Sequence, residues 1–170
     1  MLNFNLTLQE ALNNIHFTEK FLEFNIHEEE RERCDHTDKE LIERYGDAKW
    51  KVIDTLNQQY NTILASEFDL YNWLYHKEND DVAYFLNEVG SNCLNHSQFK
   101  APHAFRIWFG SKGFILGIQQ KGRGFNAKKV HVEKIRENEG AAFDFFRNCK
   151  NKIFFDNPKE SKIIFMEFMF

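Results

Sequence analysis

The spacing of apolar positions changes character near the middle of the chain. In the first half it is helical. Thr7 precedes Glu10 by three residues, the arrangement of a capping box, and Leu8, Leu12, Ile15 and Leu22 follow at helix-like spacing. "HEEERERCDHTDKE" is a charged connector or solvated helix end, and within it Thr37 and Glu40 form a second candidate capping box. From Asp47 a long helical pattern runs through Trp50, Ile53, Leu56, Tyr60, Ile63, Leu64, Phe68, Tyr71 and Leu74, and is expected to be buried. "HKENDD" interrupts it. A further helix is predicted from Asp80, with Val82, Phe85, Leu86, Val89 and Cys93 forming one apolar stripe.

The second half reads mainly as strands. "HAFRIWFG" and "GFILGIQQ", joined by "SKG", predict a hairpin. "KGRGF" is a glycine-punctuated turn, and "NAKKVHVEKIRENEG" a loop with a short helix. "AAFDFFRNCKN" predicts a helix, and "KIFFD" and "SKIIFMEFMF" predict two strands around the turn "NPKE". The order implies an α+β fold with helices on one face of a mostly antiparallel sheet, a two-layer sandwich. Residues 1–77 are expected to be a helical region preceding a domain over 78–170.

Composition narrows the class. At 170 residues, 42% hydrophobic and 28% charged, the chain is long enough for a real core and has a globular balance. Its formal charge of −4 gives no reason to expect a nucleic-acid partner. Cys34, Cys93 and Cys149 are odd in number and widely spaced, which argues against a disulfide framework and for a reducing, cytoplasmic setting. The first residues have no basic segment followed by an apolar run, so no secretory signal is expected, and no stretch approaches the roughly 18 apolar residues of a membrane span, so no membrane association is expected.

Candidate chemistry centres on "FLNEVGSNCLNHSQF". Glu88, Asn92 and His96 recur at four-residue intervals, which at about 100° per residue sets them in a row along one flank of the apolar stripe. A carboxylate, an amide and an imidazole at the edge of a core suggest a cleft. Other readings are simpler. Cys34 with His36 lacks the second ligand pair of a metal site. His27 before Glu28 resembles a phosphoacceptor only faintly. Lys128, Lys129 and Arg136 fit either a lid that reaches phosphates or a solvated face. Phe143, Phe145, Phe146, Phe154, Phe155, Phe165 and Phe168 fit core packing.

Residues 78–168 resemble the GHKL (Bergerat-fold) ATP-binding domain of DNA gyrase, the ninety-kilodalton heat-shock chaperone, histidine kinases and the serine kinases that act as anti-sigma factors. Glu88-x-x-x-Asn92 followed by His96 is similar to the family's N-box. The resemblance implies a catalytic carboxylate at Glu88, a magnesium-binding amide at Asn92, and Asn95 and His96 beside the phosphates. Asn95 stands where Lys or Arg is usual. "IQQKGRGF" resembles the G1 box through Gly122, Gly124 and Phe125, with Gln120 at the position of the Asp that accepts the adenine amino group. Of the glycine-rich G2 box only Gly140 remains, followed by Ala141 and Ala142. The implied ligands are ATP and Mg²⁺. The implied function is a histidine-kinase-like ATP-binding protein, with protein kinase activity of the anti-sigma-factor type. The alternative is a catalytically degenerate regulator acting by protein–protein binding; separately, the Trp50-to-Leu74 stripe of residues 1–77 is expected either to pack on the domain or to pair two copies as a homodimer.

Overall fold

The computed structural model describes residues 1–27, 39–76, 79–99, 102–137 and 140–170. Five strands, β1 (Phe17–Asn25), β2 (Pro102–Gly110), β3 (Gly113–Gln120), β4 (Lys152–Phe155) and β5 (Ile163–Met169), form one antiparallel sheet in the order β1-β2-β3-β5-β4. The helices among these residues are α1 (Leu8–Asn14), α2 (Lys39–Tyr60), α3 (Leu70–His76), α4 (Asp81–His96), α5 (Ala127–Glu137) and α6 (Ala141–Asn148). The α+β class and both predicted hairpins agree with the sequence reading.

The central strand explains the layering. β3 is apolar at successive positions because both of its faces are buried. Phe114, Leu116 and Ile118 face the larger core, which is built with side chains of α2, α4 and α6. Ile115 faces the other way, into a smaller cluster with Phe154, Phe165, the α1 residue Ala11 and Ile15 just after that helix. Most helices therefore lie on one face, and α1 covers part of the reverse face. The larger core includes Ile26 and Leu41 as well as Phe105 and Met166, so residues on both sides of position 77 share it.

Three local expectations change. The Thr7–Glu10 capping box forms, with Glu10 N–H donating to Thr7 Oγ1 at 3.2 Å and Thr7 N–H to Glu10 Oε2 at 2.9 Å. The helix nevertheless stops at Asn14, and residues 17–25 are a strand rather than more helix. His16 has a φ of 51°, which no α-helix accepts, and beyond it the chain pairs with β2 through an irregularity between Phe17 and Phe21. Leu22, read at helical spacing, belongs to this edge strand. The long pattern from Asp47 also divides: α2 ends at Tyr60 and α3 begins at Leu70. Between them the Asn57 amide donates to Phe68 O at 2.8 Å and accepts Phe68 N–H at 2.9 Å, folding the chain back. Ile53, Leu56, Tyr60 and Phe68 are buried, whereas Trp50, Ile63, Tyr71 and Leu74 are exposed. Thirdly, residues 127–137 form an eleven-residue helix, with the Asn126 side chain accepting Lys129 N–H at 2.9 Å. Thr37, Cys34 and His36 lie outside the described residues.

Tyr60 ties the helical layer to the sheet. Its hydroxyl lies 3.1 Å from the carbonyls of both Gly110 and Gly113 and accepts Gly110 N–H at 3.2 Å. Burial pushes the phenol up to about 12. Tyr60→Phe removes this bridge and strands a buried amide at the β2–β3 turn. We expect a loss of about 1–3 kcal/mol, read from urea unfolding as a lower midpoint with an unchanged slope.

Candidate functional site

α4 sets the geometry of the site. Asp80 caps it, accepting Ala83 N–H at 2.9 Å and, on its other oxygen, Asp69 N–H at 2.8 Å. Burial raises the Asp80 carboxyl above its ordinary value. The stripe Val82, Phe85, Leu86, Val89 and Cys93 is buried against the sheet. One flank meets α2. There the Tyr45 ring fills the space beside Gly90, where a Cβ would come within 2.3 Å of Tyr45 Cε2. The Tyr45 hydroxyl reaches the carbonyls of Leu86 (3.1 Å) and Asn87 (2.9 Å). Lys49 stands over the same ring and donates to Asn87 Oδ1 at 3.0 Å. The other flank is left for Glu88, Asn92 and His96.

These three residues line a cavity of about 760 Å³. Gln120, Gly124 and Phe125 join them from the end of β3 and the turn after it, and Gly140 joins from the start of α6. The sequence row on α4, the G-x-G turn and the isolated glycine thus meet around one space. Two expected residues do not line it. Asn95 is exposed on the outer side of α4, and Gly122 packs against Gln98 and the Phe99 ring instead.

The turn is built by its glycines and by Gln98. Gly122 has a φ of +83°, and a Cβ there would lie 2.6 Å from Gln98 Oε1 and from the Phe99 ring. That Gln98 oxygen accepts Arg123 N–H at 2.7 Å. A Cβ on Gly124 would lie 2.7 Å from the Glu160 carbonyl, because Phe125 and Ser161 exchange backbone hydrogen bonds of 3.0 and 2.7 Å alongside. Gln120 is buried, its backbone N–H donating to Lys162 O at 2.9 Å. Its Nε2 faces the carbonyls of Arg123 and Ser161, each at 3.4 Å, so Oε1 is the atom left to accept a bond from a ligand.

Gly140, the N-cap residue before α6, has a φ of +93° and offers no side-chain cap. Gly140, Ala141 and Ala142 line the cavity, so the N-terminal end of an uncapped helix stands at its border, and helix N-termini suit anions. Lys134 also lines it, its stem against Gly140. Lys128, Lys129 and Arg136, the cations considered for reaching a phosphate, are exposed and do not line it. The helical turn of α5 carries them outward and Lys134 inward. Gln98, Arg123 and Lys134 were not singled out from the sequence. Arg123 was visible as the middle residue of G-x-G, while Gln98 and Lys134 carry no signal outside the folded chain.

The walls are apolar, with Val89, Val130, Phe143, Phe146 and Ile164, and the polar groups gather on the α4 flank and the turn. Glu88 has no hydrogen-bond or ion-pair partner among the described residues, and burial raises its carboxyl above the ordinary value. Cys93 is buried in the wall and its thiol is pushed up to about 12, so it remains protonated and poorly nucleophilic near neutrality. Among the described residues no three His, Cys, Asp or Glu side chains gather as a metal site. No helix among them is long and apolar enough to cross a membrane.

Comparison of the sequence with protein-family models and with curated proteins, and of the fold with solved structures, returned no match.

Proposed function

We propose that this cavity binds a nucleoside triphosphate with Mg²⁺, and that the chain is a GHKL-like ATP-binding protein with kinase or ATPase activity. One observation carries the reading. Residues from three separate parts of the sequence, Glu88 and Asn92, Gln120 with Arg123 to Phe125, and Gly140 to Ala142, border one cavity of about 760 Å³. That volume is within the usual range for small-molecule sites, roughly 300–1,000 Å³.

The chemistry divides among the lining groups. Gln120 Oε1 accepts a hydrogen bond from the exocyclic amino group of the base. The amides at the start of α6, with Lys134 and Arg123, hold phosphate oxygens. Asn92 would hold Mg²⁺ through its neutral side-chain oxygen, a donor suited to a hard cation. When bound, Mg²⁺ neutralises phosphate charge. Glu88 accepts a proton from the attacking water or hydroxyl, a role suited to a carboxylate of raised pKa without a protein partner.

A second reading, a regulator that has lost catalysis and acts through a protein partner, is favoured by different observations. Gln120 is an uncharged acceptor, Asn95 lies away from the cavity, and Ala141 and Ala142 replace residues with greater backbone freedom.

Calorimetry at millimolar ATP, with and without Mg²⁺, separates the two. We expect weak, magnesium-enhanced binding. Asn92→Ala should abolish the magnesium dependence, and Glu88→Gln should keep binding and lose turnover. Gln120→Asp should tighten binding by about 1 kcal/mol by restoring a charged acceptor. Absence of heat from both wild type and Gln120→Asp would reject nucleotide binding and leave the partner-binding regulator.

Glu88 also gives a stability prediction. Its folded-state pKa is raised, so its ionisation opposes folding. The cost is absent below the unfolded-state pKa and grows as pH rises through the folded-state value. Glu88→Gln should therefore be more stable than wild type at neutral pH, and the difference should shrink in acid. Turnover by the wild type should rise with pH across the same interval. Equal melting temperatures for the two proteins at every pH would contradict this.

A further inference from the structure

We propose that the outward face of α5 is a docking surface for an acidic amphipathic segment of a partner protein. On a wheel of about 100° per residue, Val132 lies at the centre of that face. It is opposite Val130 and Lys134, which line the cavity. Val132 and Ile135 are 64% and 53% exposed. Around them stand Lys128, Lys129 and Arg136, all exposed, with the Lys128 ammonium 5.8 Å from the centre of the Phe4 ring at the edge of the face. The helix's two acids, Glu133 and Glu137, lie to one side and pair with Lys129 at 3.8 Å and Lys134 at 3.1 Å.

A solvated helix needs no aliphatic residue at the centre of its exposed face. Scattered exposed residues are ordinary, but two adjacent aliphatics ringed by three cations form a small anchor with an electrostatic rim. The chain as a whole carries a formal charge of −4, so this cationic face is a local inversion. Complementarity selects a partner that presents apolar side chains among carboxylates, such as one face of an acidic helix. A lipid surface fits less well. The face has two aliphatic residues and no exposed aromatic ring to seat in a headgroup layer. The surface is independent of what the cavity holds.

The test uses the full chain and a fluorescent synthetic helical peptide with leucines on one face and glutamates on the other. Anisotropy should show saturable binding that weakens with salt. Val132→Ser with Ile135→Ser, and separately Lys128→Glu with Lys129→Glu and Arg136→Glu, should each weaken it by at least about tenfold. These side chains are exposed, so circular dichroism of both variants should match wild type. The proposal is overturned if both variants bind like wild type, or if a lysine-for-glutamate peptide binds equally well. It is equally overturned if millimolar peptide does not bind, or if phosphatidylserine vesicles bind more tightly than the peptide and lose binding in the same variants.

Discussion

The packing of α4 on the sheet is the constraint from which the site follows. Its apolar stripe can face the sheet in one rotational setting, and that setting leaves two flanks. One is closed by the contact between Tyr45 and Gly90, where any larger residue at position 90 would collide with the ring. The other is left to Glu88, Asn92 and His96. A helix rotated by one residue would turn the carboxylate toward solvent or force it into the sheet. Hydrophobic burial therefore orients the polar row, though none of the burial energy comes from it.

The glycine turn shows how a candidate binding motif and a structural necessity overlap. Gly122 is fixed by a left-handed dihedral and by Gln98, and Gly124 by the passing Glu160 carbonyl. Both glycines would be required to close this turn against its neighbours whatever occupies the cavity. Their presence supports the architecture. The chemical reading depends instead on groups the fold does not need, Glu88 and Asn92 above all. An ionisable side chain with a raised pKa and no partner costs stability, and such costs gather at working sites.

Much of this was legible in the sequence because it is local. The stripe on α4, the β2–β3 hairpin, the β4–β5 hairpin and the Thr7 cap are all set by residues within a few turns or one loop of each other. The errors came where distant contacts decide. β1 is an edge strand whose residues are mostly exposed, so its alternation is weak and Leu22 could be counted into a helix. The break after Tyr60 depends on Asn57 reaching Phe68, two residues with no sequence signature as a pair. In the site, the α4 row could be read from spacing. Lys134 could not be told from Lys128 or Arg136, since only the seating of α5 decides which cation turns inward. Gln98 matters solely because the turn comes to meet it.

The pairing of β1 with β2 also bears on the order in which the chain assembles. β2 and β3 meet through a short turn, and β4 and β5 through another, so each pair closes a small loop. β1 must wait for α2, α3 and α4 to be made before β2 exists to receive it, and closing that long loop carries the largest entropic cost in the sheet. Irregular pairing near Glu19, whose φ is 61°, gives little in return along the first part of the strand. β1 is thus the strand expected to join last, and its exposed edge amides are expected to exchange through local opening before those of the central β3.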